Sequence, residues 1–298
     1  MIRLGLVCKF LNEPIRFYTT TATSLLKMDR PQALKKLSRL SFQNAESLLQ
    51  ALQYCNANRI GHFRVNSRIL PLKTHPAAGY RMKELPDYQV IISKFAECGL
   101  FAKKHDIRMS FHPDQFVLLS SPDPGVVERS IAELEYQAEV ADWIGADVLL
   151  IHGGGGYGNK PAALQRLAGN LTRLSAPARA KLALENDDRV FTPADLLPVC
   201  ESEKLPFVYD VHHHRCLPDG FSEEEVTKKA LLTWNREPLF HISSPKWGWD
   251  KNPVTPHHDY IDPADFPPCW LPLNITVEVE AKAKEEAIKA LLDYLEKQ

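Results

Sequence analysis

Short runs of apolar, β-prone residues alternate along this chain with longer stretches of helical period. The first run is Arg3–Val7. A helix follows from Pro31 to about Cys55, where Leu34, Leu37 and Leu40, then Ala45, Leu48 and Leu52, recur at steps of three or four. The same reading gives strands at His62–Val65, Arg108–Phe111, Val148–His152, Lys181–Leu184, Phe207–Val211, Leu239–Ile242 and Ile275–Val279. Helices are predicted over Asp87–His105, Gly125–Ile144, Lys160–Leu174, Thr192–Glu203 with Thr192 as N-cap, Ser222–Trp234 and Lys282–Lys297. A Pro-, Trp- and His-rich loop fills Ser243–Trp270. Strands alternating with helices predict a parallel sheet, and eight such units favour a closed (β/α)8 barrel over an open doubly wound sheet. No linker or low-complexity segment divides the sequence, so residues 1–298 are expected to form one α/β domain.

Composition changes this picture little. Hydrophobic residues make up 44% and charged residues 24% of the chain, as in an ordinary globular protein. The longest apolar runs are too short to cross a bilayer, and Met1–Leu6 lacks the form of a signal peptide, so a cytoplasmic location is expected. The six cysteines contain no CxxC pair, which argues for reduced thiols. A net charge of −1 lends no support to nucleic-acid binding and leaves only a local basic groove to provide it.

The positions of the polar residues are more informative. His112, His152, Glu185, Asp210 with His213, His241 and Glu280 each fall at the C-terminal end of a predicted strand. In a barrel those ends share one face, where active sites are built. A strand-end histidine is ordinarily hydrogen-bonded structure, and a lone Glu is often a rim salt-bridge partner, but six coincidences on one face point to a site. Imidazole with carboxylate and no thiolate suits Mn, Zn or Fe. The set exceeds what one ion needs, and a carboxylate such as Glu185 can bridge two, so two or three divalent ions are expected, with Glu185 central to catalysis. The Gly153–Gly156 run has no phosphate-loop spacing and reads either as a βα loop with unusual backbone angles or as a direct phosphate cradle.

Several motifs in order carry a family resemblance: Arg3-Leu4-Gly5, Phe63-Arg64-Val65, Thr74-His75-Pro76, His112-Pro113-Asp114-Gln115-Phe116, Ser121-Pro122-Asp123-Pro124, Leu182 through Asp187, Asp210-Val211-His212-His213 and Val279-Glu280-Ala281-Lys282. Over nearly its whole length the chain resembles ultraviolet-damage endonucleases and, more distantly, endonuclease IV. The resemblance implies a (β/α)8 barrel that hydrolyses the phosphodiester immediately 5′ to a pyrimidine dimer or (6-4) photoproduct, leaving 3′-hydroxyl and 5′-phosphate ends. It also implies manganese as the usual metal (zinc, magnesium or cobalt being alternatives), duplex DNA with ultraviolet lesions as partner, no nucleotide cofactor, and a monomer. The implied ligands are His112, His152, Glu185, Asp210, His213, His241, His257 and Glu280. His75 would lie close to the metals or the scissile phosphate, and Gln115 with Phe116 would probe the duplex.

The sequence departs from the family pattern in two places. Leu6 and Phe10 stand where the family carries an aromatic probe and an Asn, and Leu239 replaces the carboxylated lysine of some members. In the long loop, Lys246 and Trp247 suit phosphate contact plus stacking, although such a loop serves equally as a lid on the rim. The competing functions are a sugar isomerase or epimerase on the same barrel, an apurinic-site nuclease, and a binding protein without catalysis.

Overall fold

A computed structural model describes residues 1–297. Eight parallel strands, β1 (Ile2–Val7), β2 (His62–Val65), β3 (Arg108–Phe111), β4 (Val148–His152), β5 (Leu182–Glu185), β6 (Phe207–Asp210), β7 (Leu239–Ile242) and β8 (Ile275–Val279), close into a barrel in sequence order. The last strand pairs with the first, Leu4 lying opposite Val277, so no edge is left to template aggregation. The alternation read from the sequence is thus the architecture found. Among the described residues no helix is long and apolar enough to cross a membrane.

Among the described residues ten α-helices surround the strands: α1 (Ala22–Leu25), α2 (Arg30–Ala57), α3 (Tyr88–Lys104), α4 (Pro124–Ile144), α5 (Lys160–Leu171), α6 (Ala176–Lys181), α7 (Pro193–Glu203), α8 (Val211–Cys216), α9 (Glu223–Leu232) and α10 (Glu285–Leu295). Their starts follow local chemistry. Asp29 accepts from Gln32 N–H ahead of Pro31, and Thr192 and Ser222 form capping boxes with Asp195 and Glu225. Three expectations are corrected. The predicted helix over Lys160–Leu174 ends at Leu171, and Ser175 caps a further short helix, α6, before the strand. Val211 does not end β6 but opens α8, where a loop was expected. The closing helix begins at Glu285, three residues later than predicted, because Lys284 sits at φ 51°.

Alternate strand residues point into the barrel, and its interior is of two kinds. Strands β4 to β7 contribute Val148, Leu150, Ala183, Val208 and Leu239, which form a separate buried apolar cluster. Strands β8 and β1 to β3 contribute His62, Arg64, Ser110, Thr276 and Glu278, all buried. Gly5 belongs to this half: a Cβ there would sit 2.4 Å from His62 Nδ1. At the N-terminal end Arg108 clamps Asp147 with Nε–Oδ1 at 3.0 Å and Nη2–Oδ2 at 2.9 Å, and Thr276 Oγ1 donates to Glu237 at 2.6 Å. The opposite strand faces, among them Phe63, Phe111, Phe207 and Phe240, pack under the helices.

Candidate metal centre

The parallel register places the polar strand ends side by side: His152 is opposite Glu185, Asp210 opposite His241, and His241 opposite Glu278. Glu185 stands at the centre, fully buried. Its Oε2 lies 3.0 Å from His112 Nε2 and 3.8 Å from His152 Nδ1. Its Oε1 lies 2.9 Å from His241 Nδ1 and 3.6 Å from His213 Nδ1. One carboxylate therefore faces two groups of nitrogens, each through a different oxygen.

Local structure explains how Asp210 and His213 join the ring. Asp210 ends β6 and caps α8, its Oδ1 accepting from His213 N–H at 2.7 Å. That cap fixes the carboxylate and leaves Oδ2 turned toward the centre, 3.5 Å from His213 Nδ1 and 3.9 Å from His241 Nδ1. Asn186, next to Glu185, holds both sides of the joint: its side chain donates to Asp210 O and accepts from Asp210 N–H. Its own carbonyl lies 3.0 Å from His213 Nδ1. Glu280, just past β8, completes the ring with Oε1 3.5 Å from His241 Nδ1 and Oε2 3.7 Å from His257 Nδ1.

The donor set fits divalent cations. Glu185 Oε2, Asp210 Oδ2 and His152 Nδ1 are buried polar atoms without a well-directed hydrogen bond. Buried orphans of this kind cost about 1–3 kcal/mol each unless a partner arrives. Two sets of three, His112 with His152 and Glu185, and Glu185 with Asp210 and His213, have ligand atoms all within 4.8 Å of one another. Both sets share Glu185, and all donors are imidazole or carboxylate.

The ionisation of the ring is consistent with a cation-seeking site. Burial lowers the His213 imidazole's affinity for a proton, but the carboxylates of Asp210, Glu185 and Glu280 outweigh it and raise its pKa to about 9. His241 is raised well above the ordinary histidine range: burial opposes this, and Glu185 and Glu278 prevail. Glu185 is held well below the usual carboxylate range despite burial, chiefly by His241 and His152. Burial lowers His152. Protons stand in for the positive charge this ring demands.

The remaining expected residues are distributed unevenly. Gln115 lines a cavity of about 300 Å³ together with His112, His152, His213, Asp187 and Arg189. Phe116 projects from the same loop, 70% exposed, beside Arg68, Lys73 and Arg129. His75 lies on the loop after β2, outside the three clusters, with Nδ1 accepting from Ala77 and Ala78 N–H. Trp247 is 47% exposed under the Lys246 ammonium, 4.8 Å from its ring centre. Trp249 instead packs on His212 and donates to Asp265, so the loop is part lid and part exposed surface. Leu6 is buried and Phe10 packs against Tyr54 and Phe63; both serve the core. Leu239 belongs to the apolar cluster of the interior. Gly154 adopts φ +87° against Ser120 and Gly153 lies against Phe191, which favours the backbone-conformation reading of the glycine run. Glu278, Arg64 and Asn186 were not singled out, although Glu278, two residues before Glu280 on a strand, shares its face by simple alternation.

Comparison with known proteins agrees with this fold and gives the family. The model of the UV-endonuclease UvdE family matches residues 2–298. A UV DNA damage endonuclease of Bacillus thuringiensis subsp. konkukian is 34% identical over 290 residues, covering 93% of this chain and 88% of the relative. The crystal structure of SacUVDE superposes with a TM-score of 0.87 at 26% identity, over 100% of this chain and 99% of the other. Endonuclease IV from Thermus thermophilus, at TM-score 0.63 and 13% identity over 99% of this chain and 100% of the other, shares the fold. So does a D-psicose 3-epimerase from Clostridium cellulolyticum, at TM-score 0.56 and 11% identity over 84% of this chain and 92% of the other. The chain belongs to the UV-endonuclease UvdE family, a family of DNA-repair endonucleases.

Proposed function

We propose that this chain incises duplex DNA beside ultraviolet photoproducts, hydrolysing the phosphodiester immediately 5′ to the lesion and leaving 3′-hydroxyl and 5′-phosphate ends. The observation that carries this reading is the division of Glu185 between two groups of ligands, Oε2 toward His112 and His152 and Oε1 toward His213 and His241. Two or three divalent ions, manganese foremost, would be held by His112, His152, Glu185, Asp210, His213, His241, His257 and Glu280. Such ions would supply Lewis-acid activation of a water and charge stabilisation of a departing oxygen in phosphodiester cleavage.

The chain's own residues select and place the substrate. A photoproduct is poorly stacked and costs less to extrude than a normal base pair, which gives Gln115 and the exposed Phe116 a physical basis for discrimination. Arg68, Lys73 and Arg129 flank Phe116 beside Asp114 and Glu133, with Arg68 paired to Asp114 at 3.0 Å, and offer cationic donors to phosphate on a chain of near-zero net charge. Lys246 and Trp247 offer a second contact, ammonium to phosphate and indole to base. His75 accepts backbone N–H groups at Nδ1, which fixes its proton on Nε2 and equips that nitrogen to donate to a phosphate oxygen.

The test is incision of duplexes containing a defined (6-4) photoproduct, a dimer, an abasic site or no lesion, with Mn²⁺ and with chelator. Metal-dependent nicking 5′ to the photoproducts is expected. Cutting of the abasic duplex alone would contradict lesion selectivity, and chelator-resistant nicking would contradict the metal centre.

A further inference from the structure

The third cluster of potential ligands, His241 with Glu278 and Glu280, differs from the two that share Glu185, because protein donors already occupy it. Glu278 is fully buried one step below Glu280 on the inner face of β8. Its Oε1 accepts from Ser110 Oγ–H at 2.6 Å and lies 3.5 Å from His62 Nε2. Its Oε2 accepts from Arg64 Nε–H and lies 3.1 Å from His241 Nε2. Arg64 also donates from Nη2 to Glu280 Oε1, so one guanidinium ties the two carboxylates together. Glu278, unlike Glu185 and Asp210, has no orphaned oxygen.

We propose that Glu278 is a positioning residue of the metal centre: it accepts the Nε2 proton of His241, so that Nδ1 is the nitrogen presented to Glu185, Asp210 and Glu280, and the cluster containing it holds no ion of its own. The inference rests on the metal-centre reading given above. Ligating histidines characteristically pass their second N–H to a carboxylate, which fixes tautomer and ring orientation and raises ligand basicity. Here the geometry supplies that carboxylate across the β7–β8 pair, where His241 and Glu278 are register partners.

Two other arrangements would put the histidine proton on Nδ1. In the metal-free ring His241 Nδ1 donates to Glu185 Oε1 at 2.9 Å, a contact that an ion bound between the two groups would replace. Arg64 Nη2 also lies 3.2 Å from His241 Nε2 and could donate to it, which would leave the histidine proton on Nδ1, facing the ions. The two protons of that Nη2 have carboxylate acceptors in Glu278 and Glu280, within reach of the same atom. A carboxylate is the stronger acceptor for a guanidinium than a neutral imidazole nitrogen is. Glu278 therefore receives both the guanidinium and the imidazole, and His241 keeps its proton on Nε2. The apolar half of the interior offers no substitute, since Leu239, opposite Thr276, is the inward residue below His241 on its own strand.

The test uses the full chain loaded with Zn²⁺ as a diamagnetic probe. Long-range proton–nitrogen correlation should place the His241 proton on Nε2. Glu278→Gln, which keeps an acceptor, and Glu278→Leu, which does not, are compared with wild type for ion count and for affinity by chelator competition. The ion count should stay unchanged, while Glu278→Leu binds about 10–100-fold more weakly and Glu278→Gln falls between. If Glu278→Leu fails to fold by circular dichroism, Glu278→Gln and the wild-type tautomer decide. An Nδ1 proton on His241, unaltered affinity in a folded Glu278→Leu, or loss of one ion from Glu278→Gln would each overturn the proposal. A wild-type chain that takes up no ion would instead contradict the metal centre itself.

Discussion

The two halves of the barrel interior were built by opposite solutions to the same problem. Strands β4 to β7 fill their share with Val148, Leu150, Ala183, Val208 and Leu239, whose stability comes from packing and water exclusion. Strands β8 and β1 to β3 fill theirs with Arg64, Glu278, His62 and Ser110, where every gain in Coulomb energy offsets a cost of desolvation. Both halves carry candidate ligands on the rim above them. The difference is what each does to those ligands: the apolar floor leaves Glu185 and Asp210 with free oxygens, whereas the polar floor grips Glu280 through Arg64 and His241 through Glu278. An apolar floor makes unsatisfied ligands, and a polar floor makes oriented ones.

Five substitutions or conditions probe that contrast, the largest effect first. Glu185→Ala removes the carboxylate whose two oxygens face the two ligand groups, so incision of a photoproduct duplex should fall by at least ~10³-fold, with the thermal melt showing a retained fold. Arg64→Leu leaves Glu278 and Glu280 buried without the guanidinium they share, with only His241 between them, and should cost roughly 3–5 kcal/mol in urea denaturation. In the apolar half, Leu150→Ala should cost about 2–5 kcal/mol through the cavity it leaves, without a change in ion affinity. A strong loss of ion affinity in Leu150→Ala would erase the distinction between the two floors.

Proton competition gives the fourth effect. His213 is raised to about 9 by Asp210, Glu185 and Glu280 in excess of its burial penalty, and an ion needs it neutral. Mn²⁺ affinity, measured by chelator competition, should therefore rise by up to about tenfold per pH unit for that one proton as pH climbs toward 9. The sign for folding is opposite. In the metal-free chain the raised pKa contributes stability that is complete below the unfolded value near 6.5 and is lost as pH rises through about 9. Metal-free stability that climbs across that interval would contradict the assignment. The smallest effect is expected at the exposed loop, where Lys246→Ala should lower the salt dependence of DNA binding by about one unit of slope.

The strand order, the closed barrel and the gathering of the polar strand ends on one rim were legible in the sequence because each rests on a short-range rule: period, cap, and a polar residue where an apolar run stops. Asp210 and His213 were found that way, but the α8 helix between them was not, since a six-residue helix formed by Val211–Cys216 leaves too short a pattern to read. Arg64 and Glu278 were missed for a different reason. Alternation puts Glu278 on the face of Glu280, but the pairing of Glu278 with Arg64 joins strands two places apart in the barrel and 214 positions apart in sequence, beyond any short-range rule. The exposure of Phe116 and the burial of Leu6 likewise depend on how loops fold over the rim.

The most direct measurement of the central claim is the anomalous scattering of crystals grown with Mn²⁺. Peaks are expected on both sides of Glu185, one toward His112 and His152 and one toward Asp210 and His213, with none between Glu278 and Arg64. A rim without peaks, its histidines turned away from Glu185, would contradict it.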